Sequence, residues 1–165
     1  MRSLFGFLFG ILFSIVLFGS PVLGFAATSD VVNGNISTST IVALTNGDRA
    51  NLSLNTLKYN DTLGKAAQMK ADDMASKGYF AHTSPDGKKP WYWFKAAGYL
   101  FNYAGENLAV NFSNSMDIER AWMNSPTHKA NITNKNYEEI GIGIAHGTYN
   151  GAPTTYVVQF FGTEK

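Results

Sequence analysis

Cysteine is absent from the whole chain of 165 residues. That excludes disulfide staples, thiolate nucleophiles and cysteine-ligated zinc. An excess of charge of either sign is also lacking. The chain has 13 Lys and Arg against 12 Asp and Glu, and setting aside Arg2 of the N-terminal apolar segment leaves 12 against 12. A chain without net charge offers no broad cationic surface, so nucleic acid and anionic membrane faces are poor partners. Histidine is scarce, with three in all, at 82, 128 and 146, so any imidazole chemistry rests on few residues. No internal repeat, no His-Glu-x-x-His zinc signature and no Gly-x-Ser-x-Gly nucleophile elbow occurs.

What is present suits one folded domain. Apolar residues make up 45% of the chain and aromatics 14%, enough large side chains for a packed interior, and the length leaves no room for a second full domain. After Arg2 no charge occurs until Asp30, and Leu4 to Gly19 is apolar apart from one serine and three glycines. Residues 1–27 therefore read as a cleaved signal peptide, with Gly24 and Ala26 as small residues before the cut, or as a retained membrane anchor. Both place the rest of the chain outside the cytoplasm, and an exported chain without cysteine favours a bacterial envelope or surface. Residues 28–39 read as a flexible linker: ten of the thirteen residues from Thr28 to Thr40 are Ser, Thr, Asn, Asp or Gly. The folded domain is expected over residues 40–165.

Within it, a short helix is expected around "NGDR" (Asn46 to Arg49), and a stronger one runs from a cap at Asn60 or Asp61 to a stop at Gly78. A third helix starts at Pro90 and ends at Gly98; its aromatics Trp91 to Phe94 read as core packing with one face exposed, in preference to a sugar-stacking platform. "GENLAV" reads as a short strand with Glu106 at its entrance. A helix capped by Ser115 and ended by Pro126 follows, with His128 just beyond it. "EEIGIGIA" alternates isoleucine with Gly141 and Gly143, a strand whose bare face admits a close neighbour. "HGTYNGAP" reads as the turn into a last antiparallel strand, Thr154 to Gly162. The fold class is α+β.

Three polar residues at expected element ends, His82, Glu106 and His128, are the candidates for a shared cleft. Two imidazoles and a carboxylate with an open position would match a catalytic zinc geometry, although gaps of 24 and 22 residues are not a local metal signature. His146 falls in the hairpin turn and needs no functional reason. Ser84 reads as turn chemistry, and Arg49 as an anion ligand or a partner for carbonyls.

In order, "NGDR", "ADDMASKGYFAHTSPDG", "AAGYLFNYAGENLAV", "AWMNSPTHKANI", "EEIGIGIA" and "VVQFFG" resemble a CAP domain. That superfamily comprises cysteine-rich secretory, antigen 5 and pathogenesis-related proteins, and the chain is similar to its bacterial, cysteine-free branch over about Thr40 to Gly162. The resemblance implies a three-layer α-β-α sandwich with a central antiparallel sheet. It also implies a cavity lined by two histidines and two glutamates, in which some members hold zinc or another divalent ion through the histidines. Matched motif by motif, His82 and His128 are the metal ligands and Glu106 is the first cavity glutamate. The second glutamate falls at Ser125, so the full set is absent. The expected function is an exported module that binds an envelope glycan, lipid or protein without catalysis. The alternative is a metal-dependent, protease-like hydrolase using Glu106. Contact with a membrane is expected only through the N-terminal segment.

Overall fold

The computed structural model describes residues 35–165, so the expected signal or anchor and the first part of the linker lie outside the described residues. The N-terminal helix α1 spans Thr38–Asn51, two residues earlier than expected. Ser37 ends the extended segment by accepting a hydrogen bond from the Thr40 amide, which satisfies one otherwise orphaned donor. Gly47 does not break this helix, because Ile41, Thr45 and Arg49 lie on one buried stripe that tertiary packing holds.

A two-residue strand β1 (Lys58–Tyr59) follows, then α2 (Asp61–Lys77), capped by Asn60 and closed by Gly78 in the left-handed conformation at φ 65°. Helix α3 (Pro90–Ala97) buries Trp93 and Phe94 and leaves Trp91 and Tyr92 exposed, as the reading of a leaking aromatic cluster requires. Strand β2 covers Phe101–Val110, so Glu106 sits mid-strand and not at its entrance. Helix α4 (Ser115–Asn124) is capped by Asn114, whose side chain accepts from the Asp117 amide; Ser115 is the first helical residue. Pro126 does not end the helical region. It occupies the first turn of α5 (Pro126–Ile132), where its missing N–H costs nothing, and His128 is therefore helical. Strands β3 (Glu139–Tyr149) and β4 (Ala152–Glu164) form a hairpin whose turn is Asn150-Gly151, both at positive φ, so His146 lies on a strand opposite Thr155.

The sheet order is β1-β3-β4-β2. Its three long strands are antiparallel, and the short β1 adds a parallel edge beside β3 that the sequence pattern does not reveal. One core joins α2 and α3 to the sheet through Leu63, Met74, Phe94 and Phe160. A second joins α1, α4 and α5 to the opposite face through Ile41, Ile118, Trp122, Ile132 and Phe161. This is the α-β-α sandwich. The bare face of β3 is occupied by α2: a β-carbon on Gly141 would stand 2.3 Å from the Leu63 carbonyl carbon, and one on Gly143 2.2 Å from that of Ala67. Helix backbone meets strand backbone there, which only glycine permits.

Among the described residues strand β2 pairs only with β4, so its outer edge carries carbonyls without a strand partner. Three side chains from the second layer satisfy them in alternation. Tyr137 donates to Ala104 O at 3.1 Å, Asn131 Nδ2 to Glu106 O at 2.9 Å and Trp122 Nε1 to Leu108 O at 3.0 Å. The edge that carries Glu106 is therefore covered by α4 and α5, which brings His128 to it. Among the described residues no helix is long and apolar enough to cross a membrane.

Candidate functional site

His82 lies in the loop after α2 and Glu106 on the α2 side of β2. They meet directly: the His82 ring donates from Nδ1 to Glu106 Oε1 at 2.5 Å. The two partners differ in exposure, with the His82 side chain 60% exposed and that of Glu106 2%. The carboxylate is thus a buried fixture that orients an imidazole left largely exposed. The hydrogen bond from His82 to Glu106 holds the imidazole proton above its ordinary range. Burial pushes the Glu106 carboxyl up, against the hydrogen bond from His82 and the charge of Lys70.

Lys70 is the residue whose role the sequence reading misses. It is fully buried on α2, and its ammonium donates to Tyr79 Oη at 3.1 Å, Ala81 O at 2.8 Å and His82 O at 3.1 Å. All three N–H bonds are used, so Lys70 pins the loop that presents His82 while its charge faces Glu106. Tyr79 in turn donates to Asp73 Oδ2 at 2.5 Å. The signal was available: Lys70 falls among Ala66, Ala67, Ala71 and Met74 on the apolar stripe of α2, and a lysine there must have partners.

His128 projects from α5 into a cavity of about 250 Å³, lined by Phe80, Leu108, Val110, Phe112, Trp122 and Ser125. Burial, and next the charge of His82, hold its imidazole below the ordinary range, so it is neutral with a free lone pair at neutral pH. Its backbone is tied to the strand, because Asn107 Nδ2 donates to His128 O at 3.2 Å. Ser125 links α4 to α5, and its hydroxyl pairs with that of Thr127 at 3.3 Å. All four expected positions thus lie around the covered edge of β2, with apolar walls on one side.

The other candidates resolve as structural. Arg49 donates to the carbonyls of Asn55, Ile132 and Asn134, the second of its two expected roles. Ser84 accepts from the Lys88 amide at 3.1 Å in the turn. His146 is exposed beside Thr155.

A divalent ion would find two nitrogens, His82 Nε2 and the His128 ring. Glu106 is already engaged by His82 and Ser125 offers only a hydroxyl. Among the described residues no group of three His, Cys, Asp or Glu side chains is placed to hold a metal ion. The donors on hand are thus two imidazoles, with Glu106 behind one of them and a hydroxyl nearby.

These features agree with the comparisons. Residues 42–161 match the CAP family, the cysteine-rich secretory protein family, and the chain belongs to it. The protein YkwD of Bacillus subtilis is 37% identical over 122 residues, covering 74% of this chain and 46% of YkwD. The B. subtilis membrane protein YlbC is 28% identical over 66% of this chain and 32% of its own length. The chain thus spans less than half the length of these curated relatives. Among solved structures, an extracellular SCP-domain protein from Bacillus anthracis superposes with a TM-score of 0.66 at 28% identity, over 81% of this chain and 42% of that one. An outer surface protein of Borrelia burgdorferi gives 0.65 at 28% identity, over 77% of this chain and 92% of that one.

Proposed function

We propose that the chain carries the exported binding domain of a cell-envelope protein and is not an enzyme. The export reading draws on the similar proteins described as extracellular and outer-surface and on the N-terminal apolar run. The observation that carries the rest is the state of Glu106. A general base must reach the proton it removes, directly or through one water. Glu106 is 6% exposed, one oxygen is bonded to His82 and the other is shut from solvent without a partner. A carboxylate so placed orients His82 and does not activate water.

The ligand contacts are then the exposed ring edge of His82, the lone pair of His128 and the Ser125 hydroxyl, beside an apolar pocket. That combination suits a partner with a polar group next to an apolar one, whether an envelope glycan, a lipid or a protein segment. A divalent ion, zinc foremost, would be held by His82 and His128 and would supply a Lewis acid at the cavity mouth.

The test is a turnover assay of residues 28–165 on casein and on peptidoglycan, with added zinc and with chelator, for the wild type and Glu106→Gln. The expected result is no Glu106-dependent turnover under either condition. Turnover that zinc restores and Glu106→Gln abolishes, with the fold intact, would establish the hydrolase reading instead.

A further inference from the structure

The structural bonds of Arg49 use only part of its guanidinium. The residue is 1% exposed; Nε donates to Asn55 O at 2.8 Å, and Nη1 donates to Ile132 O at 2.7 Å and Asn134 O at 2.9 Å. These bonds tie the end of α1 to the turn after it and to the end of α5. Nη2 has no hydrogen-bond partner among the described residues, and it is not one of the polar atoms sealed from solvent. It therefore opens onto a recess of about 410 Å³ that Arg49 lines together with Leu52, Ser53, Leu54, Asn55 and Lys135.

No carboxylate compensates this buried charge. Among the described residues the ion pairs are made by Lys77, His82, Lys88 and Arg120, and none reaches Arg49. Burial alone shifts its guanidinium, downward, and no acid draws it back. A buried cation held only by uncharged carbonyls keeps an attraction for an anion. We propose that this recess is a binding site for a phosphate group, with Arg49 Nη2 in its wall and Ser53, Asn55 and Lys135 at its rim.

The surroundings suit that ligand. None of the six lining residues is an acid, and the hydroxyl, amide and ammonium of Ser53, Asn55 and Lys135 are all exposed and can all donate. The carbonyls at the two helix ends are the groups that would repel an anion, and they are occupied. Arg49 O accepts from the Leu52 and Leu54 amides and Ala50 O from the Ser53 amide, while Asn55 O, Ile132 O and Asn134 O are taken by Arg49 itself. Ser53 holds a left-handed backbone at φ 57°, a conformation that costs a residue with a β-carbon. The donors come from three segments, α1, the turn after it and the loop after α5, and so match the several oxygens of a tetrahedral phosphate better than the two coplanar oxygens of a carboxylate. The volume falls among those of small-ligand pockets, about 300–1,000 Å³. Helix α5 has His128 in its first turn and Arg49 at its last carbonyl, so the site is separate from the His82–Glu106 cavity.

The test is NMR of the ¹⁵N-labelled protein at neutral pH and constant ionic strength, titrated in turn with sodium phosphate, dimethyl phosphate and sodium chloride. Phosphate should move the Arg49 guanidinium and the Ser53, Asn55 and Lys135 amides along one saturating curve, while the Arg120 guanidinium, exposed and paired with Asp117, stays still. Lys135→Gln should weaken binding about threefold, and the addition of Ser53→Gly should bring the loss to about tenfold. Both positions are exposed, so these variants keep the fold. Saturation by dimethyl phosphate as well assigns a diester phosphate, and saturation by inorganic phosphate alone assigns a free or monoester phosphate. A response to chloride equal to that to phosphate would overturn the proposal. So would an Arg49 signal no more responsive than that of Arg120, or an affinity that Lys135→Gln leaves unchanged.

Discussion

Two buried carboxylates set the chemistry at the scale of single residues, and they are compensated differently. Glu106 accepts a hydrogen bond from the His82 ring and lies near the Lys70 ammonium; Glu119 has only a hydroxyl and a second acid. The difference makes Glu119 a pH-dependent stability element. Its carboxyl is raised in the folded state from the ordinary 4.5 to about 7, so the folded chain holds this proton more tightly than the unfolded chain does. Its contribution is fully present below about 4.5 and is lost as pH rises through about 7, at a total cost on the order of 3 kcal/mol. Glu119→Gln should therefore leave stability near pH 5 little changed and raise it near pH 8, which urea unfolding at the two pH values would measure. Lys70 makes the opposite case. Lys70→Met keeps the stem but strips donors from two loop carbonyls and Tyr79 and leaves Glu106 without its nearby ammonium. A loss of about 3 kcal/mol is expected from the unpaired buried groups. Weaker protection of the His82 loop against hydrogen exchange should accompany it.

At the scale of elements, the contact between α2 and β3 shows how far pattern reading reaches. Alternation of isoleucine with glycine in β3 points to a close neighbour on the bare face, and α2, small-faced through Ala66, Ala67 and Ala71, is that neighbour. Gly143→Ala should cost about 3 kcal/mol or more, because the new β-carbon collides with helix backbone that has no rotamer to change; a lowered thermal midpoint with unchanged secondary structure is the expected readout. The helix caps at Asn60 and Gly78 and the aromatic packing of α3 are legible for the same reason: each depends on neighbours close in sequence. What is not legible depends on the tertiary frame. The sequence pattern puts Glu106 at a strand entrance because residues 101–104 show no clean alternation, and a register shift at the start of β2 accounts for that. Pro126 reads as a stop, whereas it starts a second helix, and only the bare edge of β2 explains why α5 is needed there. Local pattern does not reveal the two-residue β1, whose pairing with β3 joins residues about 80 positions apart.

For the whole molecule, the candidate site is a product of layer geometry. The loop after α2 comes from one face of the sheet and α5 from the other, and both converge on the edge strand that carries Glu106 between them. The motif order in the sequence points to this convergence through resemblance; residue spacing alone does not, since the partners are 24 and 46 positions from His82. Ser125 stands where the resemblance implies a second glutamate, and the Glu106 carboxylate is already engaged by His82, which is why we propose binding as its reading. The central claim is that His82 and His128 form one site, and ¹⁵N NMR of the imidazole rings during titration with zinc chloride tests it most directly. The account predicts that both rings shift together along one binding curve, His82 through Nε2 while Nδ1 stays protonated toward Glu106, and that His82→Ala abolishes most of the His128 response. Two independent curves, or a His128 ring that responds unchanged without His82, would contradict it.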